Sequence, residues 1–559
     1  MSFKYSIGKY SKSIDELKVK LNQEKVIDRI WKKDYTVWSN DPAEISNRLG
    51  WLDSVDVTGK SLKEIFEFVY EVRVAGYTRV LLMGMGGSSL APEVFRLTFG
   101  VKEGFLDLAV LDSTHPEVVI EYAKKFDPHK TLYVVSTKSG GTVETFSFMK
   151  FFYNFALHIL GKEEVGKHFA AITDPGSGLQ KVAEELKFRK IFLNDPDIGG
   201  RFSALSLFGM VPAALVGIDI EKIFSLAGEE ISNCKKTGND LSLNVAAQIG
   251  LIIGGLGKKG IDKLTFIISP EFKYLGAWLE QLIAESTGKM GKGILPVDLE
   301  SIEDPEFYSN DRLFVYIKLK GDSIYDEKVD KIRNAGYPII DLEIKDKPEL
   351  GNQYFLWEFA TAVAGWVLQI HPFDQPNVEQ AKVVARQMMK EYQQKGKLPG
   401  LSPTLEDKGI KVYGDVKSKL IDEVLSSFLS DCKSGKNYAA IQAYLNPTKE
   451  ITESLQKLRT KIQKKYRIAT TLGFGPRFLH STGQLHKGDA GNGYFIQLIS
   501  DIEDDLPIPE NMGKEETSIT FGVLIKAQLL GDRQALLDNK RKVITINLGR
   551  NVIDSLNQL

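Results

Sequence analysis

Along the chain, short runs of β-branched and other apolar residues give way to Gly- and Ser-rich turns and then to amphipathic stretches. Arg79-Val-Leu-Leu-Met-Gly84 leads into Met85-Gly-Gly-Ser-Ser89, and the run at 106–112 ends at Ser113-Thr-His-Pro116. The run at 131–135 enters Ser136-Thr-Lys-Ser-Gly-Gly141, and that at 169–172 enters Thr173-Asp-Pro-Gly-Ser177. Strands apolar along their whole length, with helical segments between them, predict a parallel sheet covered on both faces. The pattern restarts with runs at 263–269, 313–318 and 338–342. The expected fold is therefore α/β: two doubly wound, three-layer α/β/α domains at 51–220 and 221–390. A polar, helix-leaning arm with Leu17, Val19 and Leu21 precedes them at 1–50. Gln393-Gln-Lys-Gly-Lys-Leu-Pro-Gly400 reads as a linker, and 391–559 as a mixed α/β C-terminal region.

Composition narrows the class. Of 559 residues, 43% are apolar and 26% charged, which is the balance of a globular protein with a sizeable core. Lys and Arg number 72 against 73 Asp and Glu, for a net charge of −1, so no global field favours nucleic acid or an anionic membrane. The only cysteines are Cys234 and Cys432, without a Cys-x-x-Cys pair; a reducing compartment is expected rather than a disulfide framework. Residues 1–13 have no apolar core of a secretory signal, and the longest apolar stretch, 245–257, falls short of the roughly 20 residues of a membrane crossing. The expectation is a cytoplasmic protein without nucleic-acid or membrane partners.

Chemistry is expected in the turns beyond the carboxyl ends of the strands. Gly84-Met-Gly-Gly-Ser-Ser89 has serine where a dinucleotide loop needs its third glycine, yet its glycines let a ligand approach the backbone. Ser136-Thr-Lys-Ser-Gly-Gly-Thr142 gathers hydroxyls, backbone N–H groups and an ammonium where a helix should start. It fits a phosphate, with an ordinary capping turn as the lesser alternative. No Walker pattern occurs, which favours a monophosphate over a nucleoside triphosphate.

A helix over 272–289 is predicted, with Leu275, Leu279 and Leu282 as its buried stripe and Glu285 extending that face. A carboxylate there either takes a raised pKa suited to proton transfer or pairs with Lys289 at i+4. Glu280, off the stripe, is expected in solvent. Asp374 is the expected cap of a helix carrying Lys382, and Arg201 follows two glycines that permit close approach to an oxyanion. No His-x-x-x-His spacing with an acidic neighbour exists, so no metal site is expected. His480 lies in the dense loop Gly473-Phe-Gly-Pro-Arg-Phe-Leu-His-Ser-Thr-Gly-Gln-Leu-His-Lys-Gly488, while His371 reads as structural.

Taken in order, Gly86-Gly87-Ser88, Thr137-Lys138-Ser139-x-x-Thr142, Gly199-Gly200-Arg201-Phe-Ser203, Glu285-Ser-Thr-Gly-Lys289 and Phe373-Asp-Gln-Pro-Asn-Val-Glu-Gln-Ala-Lys382 resemble the glucose-6-phosphate isomerase family. The resemblance implies two sugar-isomerase (SIS) domains and an aldose–ketose isomerase without cofactor or metal. It implies a sugar phosphate held by Gly87, Ser88, Thr137, Ser139 and Thr142 with Lys138 nearby, and Arg201 beside the reacting carbons. It further implies Glu285 as the base, Gln375 in contact with substrate, Lys382 assisting ring opening, and a homodimer. The family's histidine normally falls between the Glu and Lys motifs. Here Leu479-His-Ser-Thr-Gly-Gln484 follows Lys382, as in the isomerase portion of bacterial transaldolase/glucose-6-phosphate isomerase fusions, so the histidine role is carried to His480. Two further readings are a non-catalytic sugar-phosphate sensor and an isomerase also accepting mannose 6-phosphate.

Overall fold

The structure, a computed structural model, describes residues 1–559 apart from the side chain of Asn239. β1 (Ser2–Ser6) opens the chain. The first sheet follows, with β2 (Arg79–Met83), β3 (Asp107–Leu111), β4 (Thr131–Ser136), β5 (Phe169–Thr173) and β6 (Lys190–Leu193) all parallel in the order β3-β2-β4-β5-β6. Every residue of β4 and β5 is buried, which is why both read as unbroken apolar runs. The chain places β3 on one side of β2 and then returns to place β4 on the other. The strand order thus reverses between β2 and β4, where a ligand crevice belongs.

The second sheet holds β7 (Lys263–Ile268), β8 (Leu295–Val297), β9 (Arg312–Leu319) and β10 (Ile339–Ile344) in the order β1-β10-β9-β7-β8. β1 is its antiparallel edge, with Ser2 opposite Glu343. This corrects the picture of a helical arm at its start. An edge strand of exposed Ser2, Lys4 and Ser6 alternating with half-buried Phe3 and Tyr5 has little apolar signal of its own. The helices Ser11–Gln23 and Val26–Trp31 do follow, but Ile14, Leu21, Ile27 and Ile30 join the main core while Val19 stays exposed.

The region beyond 391 is more ordered than its composition suggested. β11 (Leu405–Asp407), β12 (Ile410–Tyr413), β13 (Tyr438–Tyr444), β14 (Ala469–Phe474) and β15 (Gly493–Ile499) precede a small hairpin of β16 (Pro507–Pro509) and β17 (Thr517–Thr520). With β18 (Lys542–Asn547) they complete a third sheet, β11-β12-β18-β15-β13-β14, in which β18, β15, β13 and β14 are parallel. The helix Val378–Lys395 runs through the boundary expected at 390 and ends at Gly396, whose φ of 69° supplies the left-handed cap.

The third sheet is not an appendage. Tyr438, Ala440, Leu485 and Phe495 share one apolar cluster with Ala284, Leu295 and Val297 of the second sheet's domain. Ile508, Phe521 and Leu524 pack into the core of the first. At the seam with the second sheet, Arg312 of β9 donates to both oxygens of Glu300 (2.7 and 3.2 Å). Glu300 also accepts from the backbone N–H and hydroxyl of Thr470 in β14, both at 2.8 Å. Among the described residues, no helix is long and apolar enough to cross a membrane.

Candidate active site

The turn after β2 and the turn after β6 meet back to back. A Cβ on Gly87 would stand 1.9 Å from the carbonyl oxygen of Gly200, so the glycine is required by close approach. Gly86 beside it has φ of 56°, and a Cβ there would lie 2.8 Å from Gln281 Nε2. Gly87→Ala is expected to drive the two turns apart by enough to cost about a hundredfold in kcat/KM. Steady-state kinetics beside a thermal melt of the variant check this; unaltered kcat/KM would show that the contact does not set the site.

These turns frame a cavity of ≈ 540 Å³ at the switch point, lined by Gly87, Ser88, Thr137, Lys138, Ser139, Thr142, Arg201 and Gln375. Immediately beyond it the helix Val143–Leu160 begins at an extended Thr142 (φ −72°, ψ 117°). The Thr142 hydroxyl is 3.1 Å from that of Thr137 and makes no capping bond, so no side chain satisfies the helix's first N–H groups. Lys138 is anchored at the rim: its ammonium pairs with Asp174 and donates to the Pro196 carbonyl at 2.7 Å. Burial raises the Asp174 carboxyl against the pull of that ammonium.

The helix over 272–289 is shorter than expected, Leu275–Thr287, because Pro270–Phe272 forms a separate turn. Leu275, Leu279 and Leu282 are fully buried, as the stripe required. Glu285 approaches Arg201 Nη1 at 3.7 Å, and its Oε2 accepts from Gln281 Nε2 at 3.2 Å. Lys289, the alternative partner at i+4, is committed elsewhere: its ammonium donates to the carbonyl and carboxylate of Asp374, both at 2.6 Å. Burial, helped by nearby Arg201, lowers the Lys289 ammonium to about 8 in spite of Asp374. Asp374 is therefore no helix cap; the helix starts at Val378 after Asn377. Glu280 is not in solvent either. It accepts from the Ser481 hydroxyl at 3.2 Å, and burial together with Asp298 raises it to about 7.

Arg201 is 4% exposed and almost fully spent on orientation. It donates to Ser286 Oγ (2.7 Å), Gln375 Oε1 (3.0 Å), the Pro372 carbonyl (2.6 Å) and the Asp374 carbonyl (3.0 Å). Burial pulls its pKa down, and Glu285 and Asp374 oppose that. The fork is thus fixed between the glycine turn, the Glu285 helix and the 372–375 loop.

His480 comes from the third sheet's domain, on the short turn Arg477–His480 after β14, and reaches the site from the same chain. Its Nε2 lies 3.0 Å from Glu144 Oε1. Burial acts to raise the Glu144 carboxyl, but the His480 contact, a backbone N–H and Lys382 together hold the group below the ordinary range. Lys382 and His480 line a second cavity of ≈ 250 Å³, along with Glu144 and Gln528; Ser139 and Thr142 line both cavities and join them. Lys382 is half-exposed, 3.7 Å from Glu379. Glu285 lines neither cavity, yet Gln281 Nε2 donates to both Glu285 and the His480 carbonyl (3.2 and 2.8 Å). One amide therefore ties the carboxylate and imidazole segments together. His371 stays local, its Nδ1 accepting from the Phe373 N–H at 3.1 Å.

Sequence reasoning missed Glu144, Gln281 and Gln528. Glu144 looks like a carboxylate placed in a helix's first turn for the dipole, and nothing local announces that it is 7% exposed. Gln281 could have been found, since it stands one turn before Glu285 on the same helix.

Residues 54–293 match the model of the family described as phosphoglucose isomerase. The chain is 27% identical over 415 residues to a glucose-6-phosphate isomerase of Mycoplasmopsis pulmonis, covering 65% of this chain and 96% of the relative. It is 26% identical over 397 residues to one of Thermus thermophilus, covering 62% and 91%. Among solved structures, a glucose-6-phosphate isomerase of Chlamydia trachomatis aligns with a TM-score of 0.58 at 18% identity over 70% of this chain and 88% of its own. This last likeness concerns the fold.

Proposed function

We propose that this chain belongs to the phosphoglucose isomerase family and interconverts glucose 6-phosphate and fructose 6-phosphate. The observation that carries the reading is the tie through Gln281 between Glu285 and the His480 segment, beside an anion-ready helix start. The phosphate sits against Thr137, Ser139 and Thr142 and the first turn of Val143–Leu160, with Gly87 and Ser88 forming the floor and Lys138 the charged rim. That anchoring holds C1 and C2 at the Arg201 guanidinium, 3.7 Å from Glu285. His480, oriented by Glu144, and Lys382 move the protons that open the pyranose ring. Glu285 then takes the proton from C2 and returns it to C1 through a cis-enediol, while Arg201 stabilises the enediolate charge. Gln375, already held by Arg201, contacts the sugar.

A coupled assay on fructose 6-phosphate with a chelator present tests the reaction. The expected result is undiminished conversion to glucose 6-phosphate; silence across hexose and pentose phosphates would favour the sensor. The homodimer and the cytoplasmic setting belong to the same proposal, and light scattering of the 62.5 kDa chain checks the first.

A further inference from the structure

We infer that Gln528, backed by Thr114, is a positioning residue that holds Glu144 for His480; the inference deepens the isomerase reading and rests on it. Gln528 lies on the helix Phe521–Asp538 and lines the second cavity together with Lys382. Its Nε2 donates to Glu144 Oε1 at 2.7 Å, the same oxygen that stands 3.0 Å from His480 Nε2. Its own Oε1 accepts from the Thr114 hydroxyl at 2.8 Å. Thr114 is 0%, Gln528 6% and Glu144 7% exposed.

An ionised carboxylate only accepts, so Glu144 fixes the amide with its NH₂ inward, and Thr114 then donates to the carbonyl behind it. Glu144 Oε1 consequently carries one permanent donor and one reactive donor. The permanent donor stops the carboxylate from rotating and takes up part of its charge, which sets how tightly His480 keeps its proton. Without it the pair binds its shared proton more strongly, and the imidazolium persists to higher pH. The other charged groups lining this cavity are Glu379, Lys382, Arg386 and Lys487, and Arg477 of the histidine turn pairs with Asp112 and Glu93. None bonds to Gln528, so replacing it leaves their placement intact.

The test uses Gln528→Leu and Thr114→Val in the full chain. The imidazole of His480, identified in NMR by its loss in His480→Asn, is titrated in the ligand-free protein. Its proton affinity is expected to rise about three- to tenfold in Gln528→Leu and by less in Thr114→Val. kcat on the ring-closed sugar phosphate falls by about tenfold, the worth of a hydrogen bond to a charged acceptor, with its pH profile moving the same way. Binding of an acyclic sugar-acid phosphate, which has no ring to open, is retained. A folded Gln528→Leu whose His480 titration and kcat profile both stay put overturns the positioning role. So does a variant that only melts earlier. A wild-type chain that fails to interconvert the two hexose phosphates overturns the functional reading instead, and the titration distinguishes the two failures.

Discussion

Glu285→Gln is expected to keep binding sugar phosphate while losing about a thousandfold in kcat, roughly 4 kcal/mol of barrier. The amide matches the carboxylate in shape and can still accept from Gln281 Nε2, which lies 3.2 Å away, so the helix and the Arg201 fork need not move. What it cannot do is accept the proton from C2 and hand it to C1. The phosphate contacts, made by other residues after β4, stay in place, so KM changes little. Solvent exchange gives the sharper readout. In deuterated water the wild type should incorporate label into the sugar, and the variant should not, even on long incubation. Near-wild-type turnover, or label exchange without Glu285, removes this residue from the role. Arg201 supplies an internal control, because its bonds to Ser286 and to the 372–375 loop do not involve Glu285.

The candidate site is legible in sequence only where one side chain carries its own pattern. Glu285 continues a leucine stripe, the 136–142 turn ends a wholly buried strand, and Arg201 follows two glycines; each is a local signal with a local cause. Glu144, Gln281 and Gln528 meet partners 336, 199 and 384 residues away along the chain, and no local spacing encodes such a meeting. The same division runs through the fold. Buried β4, β5, β7 and β9 are apolar enough to be seen at once. β1 and β6 are short and partly exposed, and β8 is only three residues long, so their places come from pairing rather than from composition. Lys289 departs from its local pattern for a related reason. Lysine at i+4 from a glutamate suggests a helix pair, but a buried ammonium goes to the acceptors that desolvation leaves it, here both oxygens of Asp374 that it reaches.

Arg312→Met is expected to destabilise the join between the second and third sheets by about 3–5 kcal/mol, because it leaves a carboxylate buried without its cation. Arg312 is 0% exposed, and Glu300 is its bidentate partner. Burial acts against the guanidinium's charge, but Glu300 outweighs it and holds the group more firmly protonated than usual. Glu300 Oε1 also accepts the N–H and hydroxyl of Thr470, four residues before Phe474 ends β14 and ten before His480. The pair thus fixes the strand from which the histidine turn departs. Loosening it should lower the denaturant midpoint and speed hydrogen exchange at the amides of β14 more than at those of β4. In the surviving native protein, kcat should fall with little change in phosphate affinity, since the first sheet is untouched. Adding Glu300→Gln is the decisive control. The neutral amide can still accept from Thr470 while removing the stranded charge, so Arg312→Met with Glu300→Gln should regain most of the lost stability. If the double variant is no more stable than Arg312→Met alone, the loss came from packing around the guanidinium, and the charge pair is not what holds the two sheets together.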